Sequence, residues 1–391
     1  MKTTLKNLLL RLGITALLIG GITAGYLKLN EKQSSALVDL SDVSVQSMTT
    51  AADGKTMYLN LVDDVQPSGL YRSRDNGVTW EMVSANPDLI FNTLAVDPVE
   101  KKTLFAGTDG GPLGTTNNVW RSTDGGKTWH NFNLSLPASP DRIVPAVTAV
   151  LVDPHQPEIL YVGTDGQGVY RFKDGEVGFE LVGGVSLYSA HVKDLAVGAD
   201  GRLYTLTADG LFATEGETWQ KLATPETPVS LAIASDDAAV MYLGSPSTGA
   251  YRSADGGQTW QSISVGLDQI PGAALRVPAV AVDELASEHV FVATAYGLGG
   301  QFAPGGLYES TDGGQTWTKM AELDKVVNQL YLDDGVIIAA TDHGLTRYGT
   351  AVEDDSTTAP SFWQRILDEF IKPAQNPGSA PEVAPRSPDG I

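Results

Sequence analysis

Short runs of alternating apolar and polar residues recur along the chain, and turn-forming residues separate them. In one unit VPAVTAVLVDP (144–154) and ILYVGTDG (159–166) precede GVYRF (168–172) and FELVG (179–183). A later unit repeats the order with RVPAVAVDE (276–284), HVFVATAYG (289–297), GLYES (306–310) and TWTKM (316–320). Because side chains alternate between the two faces of a strand, this pattern predicts four short β-strands in each unit.

One octapeptide recurs between the third and fourth predicted strands. It reads SRDNGVTW (73–80), STDGGKTW (122–129), SADGGQTW (253–260) and STDGGQTW (310–317). A Gly supplies the positive φ of a tight turn, the Asp carboxylate folds back onto turn amides, and the Trp buries an apolar face beside it. We therefore assign a structural role to Ser73, Asp75, Gly77, Trp80, Ser122, Asp124, Gly126, Trp129, Ser253, Asp255, Gly257, Trp260, Ser310, Asp312, Gly314 and Trp317.

One aromatic residue marks this turn in each unit, so the units can be counted along the sequence. Including diverged copies, they fall at Trp80, Trp129, Phe179, Trp219, Trp260, Trp317 and Trp363. Repeated units of four short strands with an all-β composition predict a seven-bladed β-propeller over residues 33–371. Two segments offer the outer strand that closes the ring: residues 363–366 or, at the other end, residues 35–40.

The octapeptides resemble the Asp-box, or bacterial neuraminidase repeat, S-x-D-x-G-x-T-W. Families that carry this repeat include sialidases, xyloglucanases, sortilin-type receptors and photosystem II assembly-factor propellers. In outline the chain is similar to the assembly-factor propellers and to other non-enzymatic Asp-box propellers. The resemblance implies that the box lies at the turn between the third and fourth strands, away from any active site.

The two ends of the chain differ from the propeller region. Lys2, Lys6 and Arg11 precede an apolar run over 12–27, which predicts a membrane anchor or an uncleaved signal segment in residues 1–32. Residues 372–391 are rich in proline and poor in large apolar residues, which predicts a disordered tail. The soluble domain is thus expected on the extracytoplasmic side, periplasmic or at the cell surface.

Composition and charge limit the partners and the reactive sites that the chain can have. The chain has 47 acidic and 26 basic residues, a net charge of −21, and no cysteine. Such an acidic chain argues against nucleic acid as a partner, and the absence of cysteine excludes disulfides and thiolate sites. The histidines lack metal-ligand spacing, and Arg142–Pro145 does not precede the first box as a sialidase Arg-Ile-Pro motif would. We predict no catalytic residue, no metal site and no cofactor.

The longest predicted loops lie on the face opposite the boxes. Long loops carry an entropic cost and are usually retained for binding. Their side chains suited to protein contact form the predicted binding set: Asn117, Asn118, Asp141, Arg142, Asp268, Gln269, Arg276, Tyr296, Gln301 and Phe302.

Two functions agree with these patterns. The first is a membrane-anchored extracytoplasmic propeller that acts as a non-enzymatic protein-interaction or assembly scaffold for a membrane complex. The second is an extracytoplasmic carbohydrate-active enzyme, such as a glycoside hydrolase or a sialidase-like protein, with carbohydrate as the ligand. A fold shared by both classes does not choose between them.

Overall fold

The computed structural model describes residues 40–349, except 41–42, 44, 52, 54, 63–67, 85–89, 113–117, 133–135, 137–142, 176–177, 188–189, 334 and 342–343. Within this part, antiparallel sheets follow one another along the chain, and each is a meander in which sequential strands pair. There are seven such blades, so the predicted seven-bladed propeller is confirmed.

The first four blades have four strands each. Blade 1 contains β1 (Val45–Thr50), β2 (Met57–Leu61), β3 (Gly69–Ser73) and β4 (Glu81–Ser84). Blade 2 contains β5 (Thr93–Val96), β6 (Leu104–Gly107), β8 (Val119–Ser122) and β9 (His130–Asn131). Blade 3 contains β11 (Val147–Val152), β12 (Ile159–Thr164), β13 (Val169–Lys173) and β14 (Glu180–Leu181). Blade 4 contains β15 (Val192–Val197), β16 (Leu203–Thr207), β17 (Gly210–Glu215) and β18 (Thr218–Lys221).

The remaining blades continue the order. Blade 5 contains β19 (Ser230–Ile233), β20 (Met241–Gly244), β21 (Ala250–Ser253) and β22 (Gln261–Ser262). Blade 6 contains β23 (Ala274–Asp283), β24 (Ala286–Leu298), β25 (Gln301–Ser310) and β26 (Thr318–Glu322). Blade 7 has three described strands, β27 (Val327–Asp333), β28 (Val336–Thr341) and β29 (Gly344–Gly349). A small pair joins β7 (Gly111–Pro112) to β10 (Ile143–Val144), and a 3-10 helix spans Gly184–Leu187.

The first strand of every blade lines a central channel. Most residues of the second strands are buried, as in LFAG (104–107) and VIIAAT (336–341), because these strands lie between the sheets of two neighbouring blades. Since successive turns of a meander alternate between its ends, the turn between strands 2 and 3 and the turn between strands 3 and 4 lie on opposite faces. We call these the upper face and the box face.

Each of the four complete boxes forms the same hydrogen-bond circuit on the box face. In blade 2, Ser122 Oγ donates to Asp124 Oδ1 (2.8 Å) and accepts from Gly126 N (2.9 Å). The two Asp124 oxygens also accept from Thr128 N (2.9 Å) and Thr128 Oγ1 (2.6 Å). The circuit recurs with distances of 2.5–2.9 Å around Asp75, Asp255 and Asp312. The Ser, Asp and Thr side chains of the box thus satisfy one another and the turn amides.

Each box also packs against the preceding blade. An added Cβ on Gly257 in blade 5 would lie 2.8 Å from Leu222 Cδ1 of blade 4, and one on Gly314 would lie 2.6 Å from Ile263 Cδ1 of blade 5. Trp317 Nε1 donates to the carbonyl of the same Ile263 (2.7 Å), and Trp219 Nε1 donates to Val182 O of blade 3 (2.8 Å). The repeat is therefore a device that joins neighbouring blades.

The last blade pairs with the start of the described chain. Leu345 N in β29 donates to Leu40 O at 3.0 Å, and Leu40 is buried with Val43, Met57 and Ile338. Of the two predicted ways to close the ring, the N-terminal one is therefore seen at Leu40, while residues 363–366 lie outside the described part.

The predicted segments at both ends of the chain, residues 1–32 and 372–391, lie outside the described residues. Among those that are described, no helix has the length and apolar character needed to cross a membrane.

Candidate functional site

Blade 6 carries an arm on the upper face. Its β24 has 13 residues and its β25 has 10, whereas strands 2 and 3 of the other blades have four to six. The extra length pairs Ala295 with Pro304 through Leu298 with Gln301, and Gly299 (φ 61°) and Gly300 (φ 83°) form the tip. Two consecutive positive φ angles favour glycine and match the twist of a tight hairpin. We define the arm as residues 274–276, 295–298 and 301–304.

Phe302 is the prominent side chain of the arm. It is 51% exposed, and the Arg276 guanidinium carbon lies 4.7 Å from the centre of its ring. The two residues are brought together because Ala274 pairs with Gly297, which in turn pairs with Phe302. Arg276 makes no ion pair with a described residue, and burial lowers its pKa. The arm therefore presents an aromatic face backed by an uncompensated positive charge.

The loop that enters the arm, residues 264–273, is fixed at Asp268. Tyr296 Oη donates to Asp268 O (3.2 Å), Asp268 N donates to Tyr308 Oη (3.3 Å), and Lys319 Nζ donates to Asp268 Oδ2 (2.7 Å). The bond from Lys319 lowers the pKa of Asp268. Gln269, Ile270 and Val265 remain exposed on this loop. Asp268 and Tyr296 belong to the same predicted binding set, and the structure shows that a hydrogen bond joins them.

The predicted binding residues do not all reach the surface. Tyr296 is only 9% exposed, and Asn118 in blade 2 is 2% exposed with its Nδ2 donating to Pro145 O. Both side chains support the upper face from beneath. Asp268, Gln269, Gln301 and Phe302 are exposed on blade 6. Asn117, Asp141 and Arg142 lie outside the described residues.

A second feature is the central channel, whose cavity has a volume of about 420 Å³. All seven first strands line it, and its charged lining residues are the neighbours Lys193 and Asp194 of β15. The Asp194 carboxylate faces channel water, yet burial by the surrounding blades raises its pKa to about 6, despite a 2.8 Å hydrogen bond from Leu195 N. Sequence reasoning missed this group because Asp194 lies outside every motif.

The described residues contain no group of three or more His, Cys, Asp or Glu side chains placed to hold a metal ion. A glycosidase needs two carboxyl groups about 5–10 Å apart across its substrate. Within the described lining of the channel, Asp194 is the single carboxylate. The described channel therefore does not supply that pair.

Two family models match parts of the chain. The model described as Sortilin, neurotensin receptor 3, matches residues 68–174, and the BNR/Asp-box repeat model matches residues 308–319. Among curated proteins, a vacuolar protein sorting/targeting protein 10 of Colletotrichum graminicola is 31% identical over 77 residues, which are 20% of this chain and 5% of that protein. A xyloglucanase of Paenibacillus sp is 27% identical over 303 residues, 68% of this chain and 25% of that protein. The chain thus spans a quarter or less of these relatives.

Solved structures show the same fold at low identity. A GH74 xyloglucanase from Xanthomonas campestris superposes with a TM-score of 0.62 at 17% identity, covering 83% of this chain and 54% of that one. YCF48 bound to D1 peptide superposes with a TM-score of 0.55 at 17% identity, covering 81% of this chain and 96% of that one. YCF48 from Cyanidioschyzon merolae gives 0.55 at 16% identity, covering 80% and 97%. The chain is thus a seven-bladed β-propeller in which residues 308–319 match the BNR/Asp-box repeat.

Proposed function

We propose that this propeller is a non-enzymatic, membrane-anchored extracytoplasmic scaffold that binds a protein partner through the arm of blade 6. The observation that carries the proposal is Phe302, half exposed and resting on the unpaired Arg276. Aromatic and arginine side chains held on rigid backbone are the groups that dominate protein–protein binding energy.

The rigidity of the arm supports the same role. Leu275 N donates to Ser247 O (3.0 Å) and Gly249 N donates to Leu275 O (2.8 Å), so the inner edge of the arm is bonded to blade 5. A preordered surface loses less conformational entropy on binding than a mobile loop does. The chain therefore offers Phe302 at low entropic cost.

The remaining parts of the proposal rest on sequence and on likeness. The basic and apolar pattern of residues 2–32 supports a membrane anchor with the propeller on the extracytoplasmic side. The similar YCF48 structure holds a D1 peptide, which supports a protein ligand for a single propeller of this size.

Co-purification from detergent-solubilised native membranes tests the scaffold. We expect wild-type protein to retain a stable partner and Phe302→Ala to lose most of it, with an unchanged melting temperature. Leu285→Ala is the matched control, because Leu285 is 91% exposed in the turn at the opposite end of the same strands. Equal recovery of the partner with Phe302→Ala and with wild type would reject the arm as the binding surface.

A carbohydrate-active enzyme is the second candidate, and the similarity to a xyloglucanase over 303 residues favours it. Hydrolysis of a panel of chromogenic glycosides and of xyloglucan separates the two functions. The scaffold predicts no turnover by pure protein. Turnover that Asp194→Asn abolishes would instead support the enzyme and would place its chemistry in the channel.

A further inference from the structure

The upper mouth of the central channel is built from residues that break the regular strand pattern. In four blades the pairing of strand 1 with strand 2 shifts by one residue directly after a valine: Val45–Ser47, Val147–Ala149, Val192–Asp194 and Val327–Gln329. The residues skipped by the register are all polar and all line the channel: Gln46, Thr148, Lys193 and Asn328. A β-bulge redirects side chains, and bulges of this kind are frequent beside binding sites.

Two hydroxyl groups at this mouth lack partners. Ser47 is 8% exposed, and its Oγ has no hydrogen-bond partner among the described residues; the same holds for the buried Oγ1 of Thr148. Buried polar groups are nearly always hydrogen-bonded, and an orphaned one calls for water or a ligand. Both residues border the cavity of about 420 Å³, a volume within the range of small-molecule sites, and their two hydroxyl oxygens are turned into the protein beside it.

Asp194 gives this site a negative charge. Leu195 N is its hydrogen-bond donor, and no nitrogen of a described Lys, Arg or His side chain lies within the 4.0 Å of an ion pair. Lys193 precedes it on the same strand without neutralising it, and Tyr331 of blade 7 is the third titratable group that lines the channel. Burial raises the pKa of Tyr331, and the negative charge of Asp194 raises it further; the Tyr331 hydroxyl donates to Met48 O (2.8 Å). The carboxylate is thus an anion on the channel wall without a counter-ion.

We propose that the channel mouth binds a small organic cation, with its ammonium or guanidinium group on Asp194 and with hydrogen bonds to Ser47 and Thr148 after their hydroxyl groups rotate into the channel. A carboxylate without a counter-ion gains a charge-assisted hydrogen bond from a cation that reaches it. This site is separate from the arm and does not depend on the proposed partner, since Phe302 does not line the channel.

Calorimetry and thermal melting of the full chain test the site, with putrescine as the cation and 1,4-butanediol as the neutral probe of similar length. At pH 8 we expect saturable binding of putrescine and none of the diol. Asp194→Asn keeps the acceptor for Leu195 N and should weaken putrescine binding at least about tenfold. Asp209→Asn is the matched control, because it removes one exposed negative charge from the same blade and should leave affinity unchanged.

Two further measurements distinguish binding of putrescine at Asp194 from nonspecific attraction of a cation to an acidic protein. Lys193→Met should strengthen putrescine binding about twofold to fivefold by removing a nearby positive charge. Affinity should fall as the pH drops below about 6, where Asp194 gains a proton, and Asp194→Asn should lack this dependence. Absence of saturable putrescine binding at millimolar concentration, equal affinity in Asp194→Asn, or stabilisation by calcium chloride alone would overturn the proposal.

Discussion

The backbone amide of Leu345 donates a 3.0 Å hydrogen bond to the carbonyl of Leu40, and this bond joins the last blade to the first described residue. Leu345 is the second residue of β29, as Leu211 is the second residue of β17. In blade 4 the position opposite Leu211 belongs to Leu222, whose amide donates to Leu211 O (2.9 Å). Leu40 therefore takes the place that the fourth strand takes in an ordinary blade, and it leads into β1 of blade 1.

Leu40→Ala tests this closure. Leu40 is 7% exposed, so truncation leaves a cavity between blades 7 and 1 and should lower the free energy of unfolding by about 2–5 kcal/mol. Leu285→Ala, at a residue that is 91% exposed, should change it by less than about 0.5 kcal/mol. Urea unfolding followed by tryptophan fluorescence measures both. Equal stability of the two variants would show that Leu40 does not close the ring.

Two adjacent glycines in the box of blade 5 allow the stability cost of backbone strain to be measured separately from the cost of overpacking. Gly256 (φ 70°) has open space where a Cβ would lie, whereas Gly257 (φ 85°) faces Leu222 Cδ1 at 2.8 Å. Gly256→Ala should cost about 1–2 kcal/mol for the left-handed conformation alone. Gly257→Ala should cost about 1–3 kcal/mol more because the added methyl overpacks the contact with blade 4. Thermal unfolding of both variants gives the comparison, and equal losses would mean that the box does not press against its neighbour.

Asp124 should stabilise the fold at neutral pH and lose this effect in a low pH window. Burial raises its pKa, but hydrogen bonds from the side chain and backbone of Thr128 and from Ser122 outweigh this and lower it to about 2. A depressed pKa adds stability that is complete above the unfolded value of 3.8 and is lost as the pH falls through 2. Linkage sets this contribution at no more than about 2.5 kcal/mol, and solvent screening reduces it to about 1 kcal/mol.

The measurement is the free energy of unfolding of wild type and Asp124→Asn between pH 2 and 5. We expect the difference in the free energy of unfolding between wild type and Asp124→Asn to shrink as the pH falls from 5 to 2, because the box carboxylate gains a proton. Asp209→Asn, at an exposed aspartate outside the boxes, should show no such convergence. A pH-independent difference between wild type and Asp124→Asn would mean that the carboxylate charge does not hold the turn.

The sequence predicted the blades because four of them contain a turn between strands 3 and 4 whose side chains bond to one another. The circuit from Ser122 to Asp124 to Thr128 is local, so its residues recur at fixed spacing and can be counted. Ring closure by Leu40 was left open, since a long-range strand pair has no fixed spacing and no marker residue.

The candidate sites show the same contrast. Loop length drew attention to blade 6, where the arm is an extension of β24 and β25. The burial of Tyr296 and Asn118 depends on packing from other segments, which a loop composition does not reveal. In the channel, the one-residue shift at Lys193 lets both Lys193 and Asp194 line the cavity. The alternation of a regular strand would place these two neighbours on opposite faces, so the sequence does not predict the polar mouth.

Asp194 should destabilise the fold at neutral pH, in contrast to the box aspartates. Burial raises its pKa from 3.8 to about 6, so the folded protein holds this proton more tightly than the unfolded chain does. Stability therefore falls as the pH rises from 3.8 to about 6 and stays constant above that value. Linkage sets an upper bound of about 3 kcal/mol, and contact with channel water reduces the expected penalty to about 1 kcal/mol.

Asp194→Asn removes the charge while keeping the size of the side chain. It should raise the free energy of unfolding at pH 8 and match the wild type near pH 4, where both side chains are neutral in the folded state. Urea unfolding across this range in buffers that contain no organic cation measures the difference. A wild type that is more stable than Asp194→Asn at pH 8 would mean that a partner within the protein already neutralises the carboxylate, and the channel would then hold no free anion for a ligand to meet.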